Sequence, residues 1–181
     1  MILNICLIVV VIITGLILKN YNHFVKTNNK VNQKASAIDV LLNQRFDLLP
    51  NLIECVKGYS KHESETLEDL VKLRSSYNNE GFSINETEKL DRKFGNIMAI
   101  AESYPELKAN QNFLDLQFNL KEIENKLNYA RLDYNNAVTS YNNLVESIPS
   151  NIVAKMFNFE RKELFKLDDN KRENITVDFS K

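Results

Sequence analysis

The sequence predicts an all-α fold: an antiparallel up-and-down bundle of long helices following an N-terminal transmembrane helix. Three observations carry this. Ile2 to Leu18 is an almost unbroken apolar run without a charge. From Asn110 to Ile148, apolar side chains recur at heptad spacing for about five heptads. Gly and Pro are scarce, four and three in 181 residues, and Trp is absent, which suits long helices better than a turn-rich sheet protein.

The apolar run sets the location. Roughly 17 residues at about 1.5 Å each give about 26 Å, close to the hydrocarbon core of a bilayer. A cleaved signal would need a basic segment before the run and a small-residue site after it. Only Met1 precedes the run, and Leu16-Ile17-Leu18-Lys19 is no such site, so a retained single-pass anchor over residues 1–19 is expected. Lys19, Lys26, Lys30 and Lys34 follow, and the first acid is Asp39. The positive flank places the N-terminus outside and the C-terminal domain in the cytoplasm, with residues 2–18 in the lipid of the cytoplasmic membrane. Cys6 in the run and Cys55 far along the chain make no disulfide framework. A net charge of −1 argues against nucleic acid as a partner.

A helical domain is expected over residues 20–159, entered directly from the anchor. Ala35, Leu42, Leu49, Val56, Leu70 and Tyr77 share one phase of an apolar stripe. Val31, Ile38, Leu52, Tyr59 and Leu73 share the other. Pro50 lies inside, lacks an N–H and clashes with the carbonyl four residues back, so a kink is favoured over a break. Asp47 is placed to cap a restarted helix. Asn78-Asn79-Glu80-Gly81 reads as a loop. Ser83-Ile84-Asn85-Glu86 reads as a capping box opening a helix with Leu90, Phe94, Ile97 and Ala101 at bundle spacing. Tyr104-Pro105 ends that helix.

The last long helix is the clearest. Its a positions are Phe113, Leu120, Leu127, Tyr134, Tyr141 and Ile148, and its d positions Leu116, Ile123, Ala130, Ala137 and Leu144. Val138 and Val145 widen the stripe beyond a two-stranded seam, so a bundle is favoured over a zipper. Repeated Tyr-Asn-Asn at Tyr134 and Tyr141 puts the tyrosines in the core and the asparagines outward. Pro149 ends the helix, Ile152 to Phe159 is a short apolar piece, and 160–181 is a charged tail, with a brief strand-like Ile175-Thr176-Val177.

These residues resemble the LemA family over nearly the whole chain. The resemblance is carried by Ile38-Asp39-Val40, Arg45-Phe46-Asp47-Leu48-Leu49-Pro50-Asn51-Leu52-Ile53 and Val56-Lys57-Gly58-Tyr59-Ser60-Lys61-His62-Glu63. It continues in Ala101-Glu102-Ser103-Tyr104-Pro105-Glu106-Leu107-Lys108-Ala109-Asn110, Tyr129-Ala130-Arg131 and Pro149-Ser150-Asn151-Ile152-Val153-Ala154. Ser36 departs from the pattern, standing where relatives commonly carry Trp. The resemblance implies a bacterial, membrane-anchored helical protein, with some relatives in specialised membrane compartments. It carries over no catalytic residue.

No motif supplies chemistry. His62-Glu63 begins like a zincin helix, but Thr66 stands where the second histidine is needed. A solvated face is favoured over a weak site of His62, Glu63 and Glu65. No catalytic residue, metal or cofactor is therefore expected. Arg45 interrupts an apolar stripe and Arg131 borders one. A buried polar layer is expected from Arg45 and Arg131 with carboxylates among Asp39, Asp47, Glu102 and Glu124, read first as a register-fixing ion pair and second as a ligand-binding or proton-linked layer. Leu114, Phe118, Tyr129 and Leu132 fall at outer heptad positions. They mark a partner surface, unless the segment at Phe157–Phe165 folds back over them. The favoured function is a non-enzymatic scaffold or adaptor with a protein partner or a second copy of itself. The runner-up is a sensor or small-ligand-binding bundle. Catalysis by carboxylates or His62 ranks last.

Overall fold

The computed structural model describes residues 1–57, 72, 74, 75, 77, 83–102 and 104–165, and the backbone alone at 56, 57, 86, 97 and 100–102. The described chain forms α1 (Ile2–Asp47), α2 (Leu49–Lys57), α3 (Ile84–Glu102), α4 (Pro105–Lys108), α5 (Gln111–Glu146) and α6 (Ser150–Met156). No strand occurs among these residues.

Helix α1 is unbroken for 46 residues, about 69 Å, from the apolar run into the bundle. An 18-residue window near its N-terminus has a mean hydropathy of 2.7, holds no buried residue, and is long and apolar enough to cross a membrane; only Ile17 at its end is partly buried against the bundle. Its one hydroxyl is satisfied inside the helix, Thr14 Oγ1 donating to the Val10 carbonyl, as a lipid environment requires. Burial begins where the apolar run ends: Phe24, Val31, Ile38, Leu42 and Phe46 form the inward stripe.

That stripe packs on α5. Phe24 meets Tyr141, Lys34 meets Asp133, and Arg45 meets Glu124. Partner numbers fall along α5 as they rise along α1, so the two helices run antiparallel. The heptad positions Phe113, Leu116, Leu120, Ile123, Leu127, Tyr134, Ala137 and Tyr141 are buried, and Ala130 and Leu144 pack on the core edge. Asn110 caps the helix, its side chain accepting from the Asn112 and Phe113 N–H groups.

The chain stays helical through Pro50, with a one-residue interruption at Leu48. Helix α1 ends at Asp47, Leu48 keeps a right-handed helical conformation, and α2 resumes at Leu49 with Leu49 and Leu52 buried. Proline leaves the Phe46 carbonyl without its usual donor, and Arg74 Nη1 approaches it at 3.4 Å. Asp47 does not restart the helix as a cap; its carboxylate pairs with Arg74 Nη2 at 3.2 Å. Helix α3 begins directly after Ser83, whose carbonyl accepts from both the Thr87 N–H and its hydroxyl. Leu90 and Phe94 are buried from α3. Tyr59, Leu70, Leu73, the loop 78–81, the His62 cluster and the strand-like 175–177 lie outside the described residues.

Two expectations are corrected. Ile148 is not a core position: α5 stops at Glu146, and Ile148 is 84% exposed before Pro149, whose ring disfavours a helical residue ahead of it. The asparagines of the repeated Tyr-Asn-Asn do not all face solvent. Asn142 is 5% exposed, and its amide accepts from the Lys162 N–H and donates to the Lys162 carbonyl, both at 2.9 Å. Asn135 holds Phe165 in the same two-bonded way, also at 2.9 Å. Each amide pairs with the N–H and C=O of one residue, as a neighbouring strand would, so the segment Glu160–Phe165 is docked along α5.

The docked segment yields a test. Asn135→Ala with Asn142→Ala removes all four bonds, each contributing about 0.5–1.5 kcal/mol. Limited trypsin digestion should then cut faster after Arg161 and Lys162, while circular dichroism shows the helices intact. Unchanged cleavage would mean that the ring contacts, the Tyr134 hydroxyl on the Glu163 carbonyl and the Arg161–Glu146 pair hold the segment without the asparagines.

Candidate functional site

Four charged side chains from three helices meet inside the bundle. Arg45 is brought inward by the α1 stripe, and its side chain is 8% exposed. Its Nη1 donates to Asp91 Oδ1 at 2.7 Å, and its Nη2 lies 3.1 Å from Glu124 Oε2. Arg131 Nη2 lies 2.7 Å from the other Asp91 oxygen. Two of these approaches, at Glu124 Oε2 and Arg131 Nη2, are ion pairs without hydrogen-bond alignment. Aromatic faces close the layer: the Arg45 guanidinium sits 4.1 Å over Phe94, and that of Arg131 5.4 Å from Phe165. The two arginines and two carboxylates balance in charge.

The layer thus contains Arg45, Arg131 and Glu124 together. The side chain of Glu102 lies outside the described residues. Asp39 and Asp47 are elsewhere, bonded to Tyr77 and Arg74 respectively. Asp91, the residue that both arginines share, is absent from the sequence-based candidates. The available signal is its position: one residue after Leu90 and three before Phe94, it borders the buried face of α3. Its neighbours Arg92 and Lys93 make it read as part of a solvated face.

Burial, and then the Asp39 carboxylate that accepts its hydroxyl, push the Tyr77 phenol well above the ordinary tyrosine range. Burial chiefly raises Tyr134 and Tyr141 as well, with Glu163 and Glu160 adding to it. All three are buried rings, each with a hydroxyl to place. An open cleft at the far end of α5 is lined by Leu48, Asn51, Glu54, Cys55, Asn110 and Asp115 among others, and neither layer arginine reaches it. Among the described residues no three metal-ligating side chains gather.

The outer face of α5 differs. Leu114, Phe118, Tyr129 and Leu132 are 40, 64, 74 and 58% exposed. By helix geometry they lie on one stripe roughly opposite the core, as two lobes about 16 Å apart, between Phe118 and Tyr129. The segment through Phe165 does not cover them, because it docks on the Asn135–Asn142 side.

Comparison with known proteins matches the same region. The LemA family profile matches residues 34–179. Protein LemA of Metamycoplasma hominis is 22% identical over 160 residues, covering 85% of this chain and 72% of the relative. Magnetosome protein MamQ 2 of Paramagnetospirillum magneticum is 24% identical over 185 residues, covering 86% and 68%. Magnetosome protein MamQ of Magnetospirillum gryphiswaldense is 23% identical over 186 residues with the same coverage.

The ion layer makes a quantitative prediction. Arg45→Leu leaves Glu124 unpaired and Asp91 with half its partners, so thermal or urea unfolding should show a loss of about 3–5 kcal/mol. Lys34→Leu breaks only the exposed pair to Asp133 and should cost no more than about 1 kcal/mol. Equal effects would show that Arg45 is solvated.

Proposed function

The chain belongs to the LemA family, and on that premise we propose that it is a membrane-anchored, non-enzymatic scaffold that acts through protein contacts at the cytoplasmic face of the membrane. The observation that carries the reading is the two-lobed apolar stripe on α5, held at a fixed height above the apolar span by the rigid α1–α5 pair. Burying one such side chain is worth about 1.5–3 kcal/mol, so four of them make a substantial docking surface. The interior supports a scaffold rather than a reaction centre: its charged groups pair with one another under two aromatic rings. The favoured occupant of the stripe is another protein, or a second copy of this one, at the same membrane.

The orientation follows from charge. Lys19, Lys26 and Lys30 remain exposed just beyond the apolar run. Anionic inner-leaflet lipids favour such lysines by on the order of 1 kcal/mol each near the surface. In intact cells, external protease should leave a C-terminal tag uncut; digestion without lysis would reverse the topology.

The stripe is tested by Phe118→Asp with Leu132→Asp. In detergent-solubilised membranes, crosslinked species containing this chain should disappear while helix content and melting temperature stay unchanged. Unfolding of the variant would assign the stripe to internal packing instead, and persistent crosslinks would move the partner surface elsewhere.

A further inference from the structure

Helix α6 presents a second exposed apolar face, at the membrane end of the bundle. Val153, Ala154 and Ser150 face inward and are buried. The opposite side carries Ile152 and Met156, 59 and 58% exposed, with Ile148 at 84% before the helix and Phe157 at 45% after it. Asn158 takes a left-handed conformation, φ 54°, which asparagine tolerates. Phe157 thus stays at the surface, while Phe159 turns inward to stack on Phe24 at 4.6 Å.

The height of this face is set by the antiparallel register. Tyr141 opposes Phe24. Five residues further, about 7.5 Å, Glu146 is level with Lys19, so Ile148 follows at the level where the apolar run ends. Independently, Tyr21, less than one turn past Leu18, packs its ring 4.8 Å from Phe157. Ile17, inside the run, already packs on the bundle core. Lys19 and Lys155 flank the face and are exposed. Apolar side chains, a tyrosine and lysines at one level are the composition of a membrane interface.

We propose that the segment Ile148–Phe157 is a second membrane contact, its apolar face lying in the headgroup layer of the bilayer that α1 crosses. The bundle then stands on two points, the span and α6, and its tilt and rotation about α1 are fixed. This rests on the reading of α1 as an anchor. Any protein on this face would have to sit within the same layer, so lipid is the occupant that the register favours.

The chain lacks tryptophan, so one introduced Trp reports alone. Ile152→Trp, Val9→Trp and Val40→Trp are each reconstituted as full chains in phosphatidylcholine–phosphatidylglycerol vesicles, with and without brominated acyl chains. Val40 is 56% exposed and lies about 33 Å along the helix from Leu18. Ile152→Trp should be quenched several-fold more than Val40→Trp by lipids brominated near the headgroup, with blue-shifted emission. Quenching equal to that of Val40→Trp would overturn the proposal, whether the emission indicates water or a protein cover. If Val9→Trp also escapes deep-chain bromines, the anchor reading falls and this proposal with it. Quenching at Val9→Trp but not at Ile152→Trp removes the second contact alone.

Discussion

Asp91 receives one arginine from α1 and another from α5, one on each carboxylate oxygen. Three helices of otherwise interchangeable apolar heptads therefore meet in a single register. Sliding α1 one turn along α5 would still set apolar side chains against apolar ones. It would also carry Arg45 away from Asp91 and Glu124, leaving charges in a site where the arginine side chain is 8% exposed. An unpaired charge there is costly, which disfavours such alternatives even where the pair itself adds little net stability over an apolar substitute. On the register-fixing reading, the layer's contribution is to the choice among packings.

Because that register is fixed, the rest of the molecule is positioned relative to the membrane. Helix α1 has no break between the apolar run and the bundle. The level of every residue on α5 is therefore set by its partner on α1. The α5 stripe stands well above the lipid and faces away from the core, where another protein can reach it. Helix α6 and Ile148 stand level with the end of the apolar run, where the proposed lipid contact lies. Two exposed apolar surfaces on one small bundle are thus separated by height as well as by direction, and the two proposals give them different neighbours.

The periodicity of α5 was legible because every heptad core position from Phe113 to Leu144 is apolar or aromatic, and packing then follows from the 3.6-residue turn. The burial of Arg45 was legible for the same reason, since it occupies a position where its helix neighbours Leu42, Phe46 and Leu49 point inward. Asp91 was not, because its partners are 46 and 40 residues away and nothing local distinguishes it from Arg92. The roles of Asn135 and Asn142 were hidden similarly. A polar residue beside a core tyrosine reads as surface until a later segment docks on it, and that docking depends on chain beyond Pro149. Pro50 was readable as an interruption of the helix, but the group that meets the freed carbonyl is Arg74, far along the chain.

The docked segment links the two ends of this scheme. It leaves α6 at the membrane level, stacks Phe159 on Phe24, and is gripped at Lys162 by Asn142 and at Phe165 by Asn135, seven residues back along α5. There the Phe165 ring meets Tyr134 and the Arg131 guanidinium. One strand-like stretch thus connects the base of the bundle to the charged layer that sets its register. The two asparagine grips hold backbone, which leaves the side chains of Arg161 and Glu163 outside. Of those two, Arg161 pairs with Glu146 of α5 at 2.9 Å, while Phe159 and Phe165 are held by the rings and the cation they touch. A change that lifts α6 from its seat would be felt first at Phe159, and reaches Arg131 only if both asparagine grips hold.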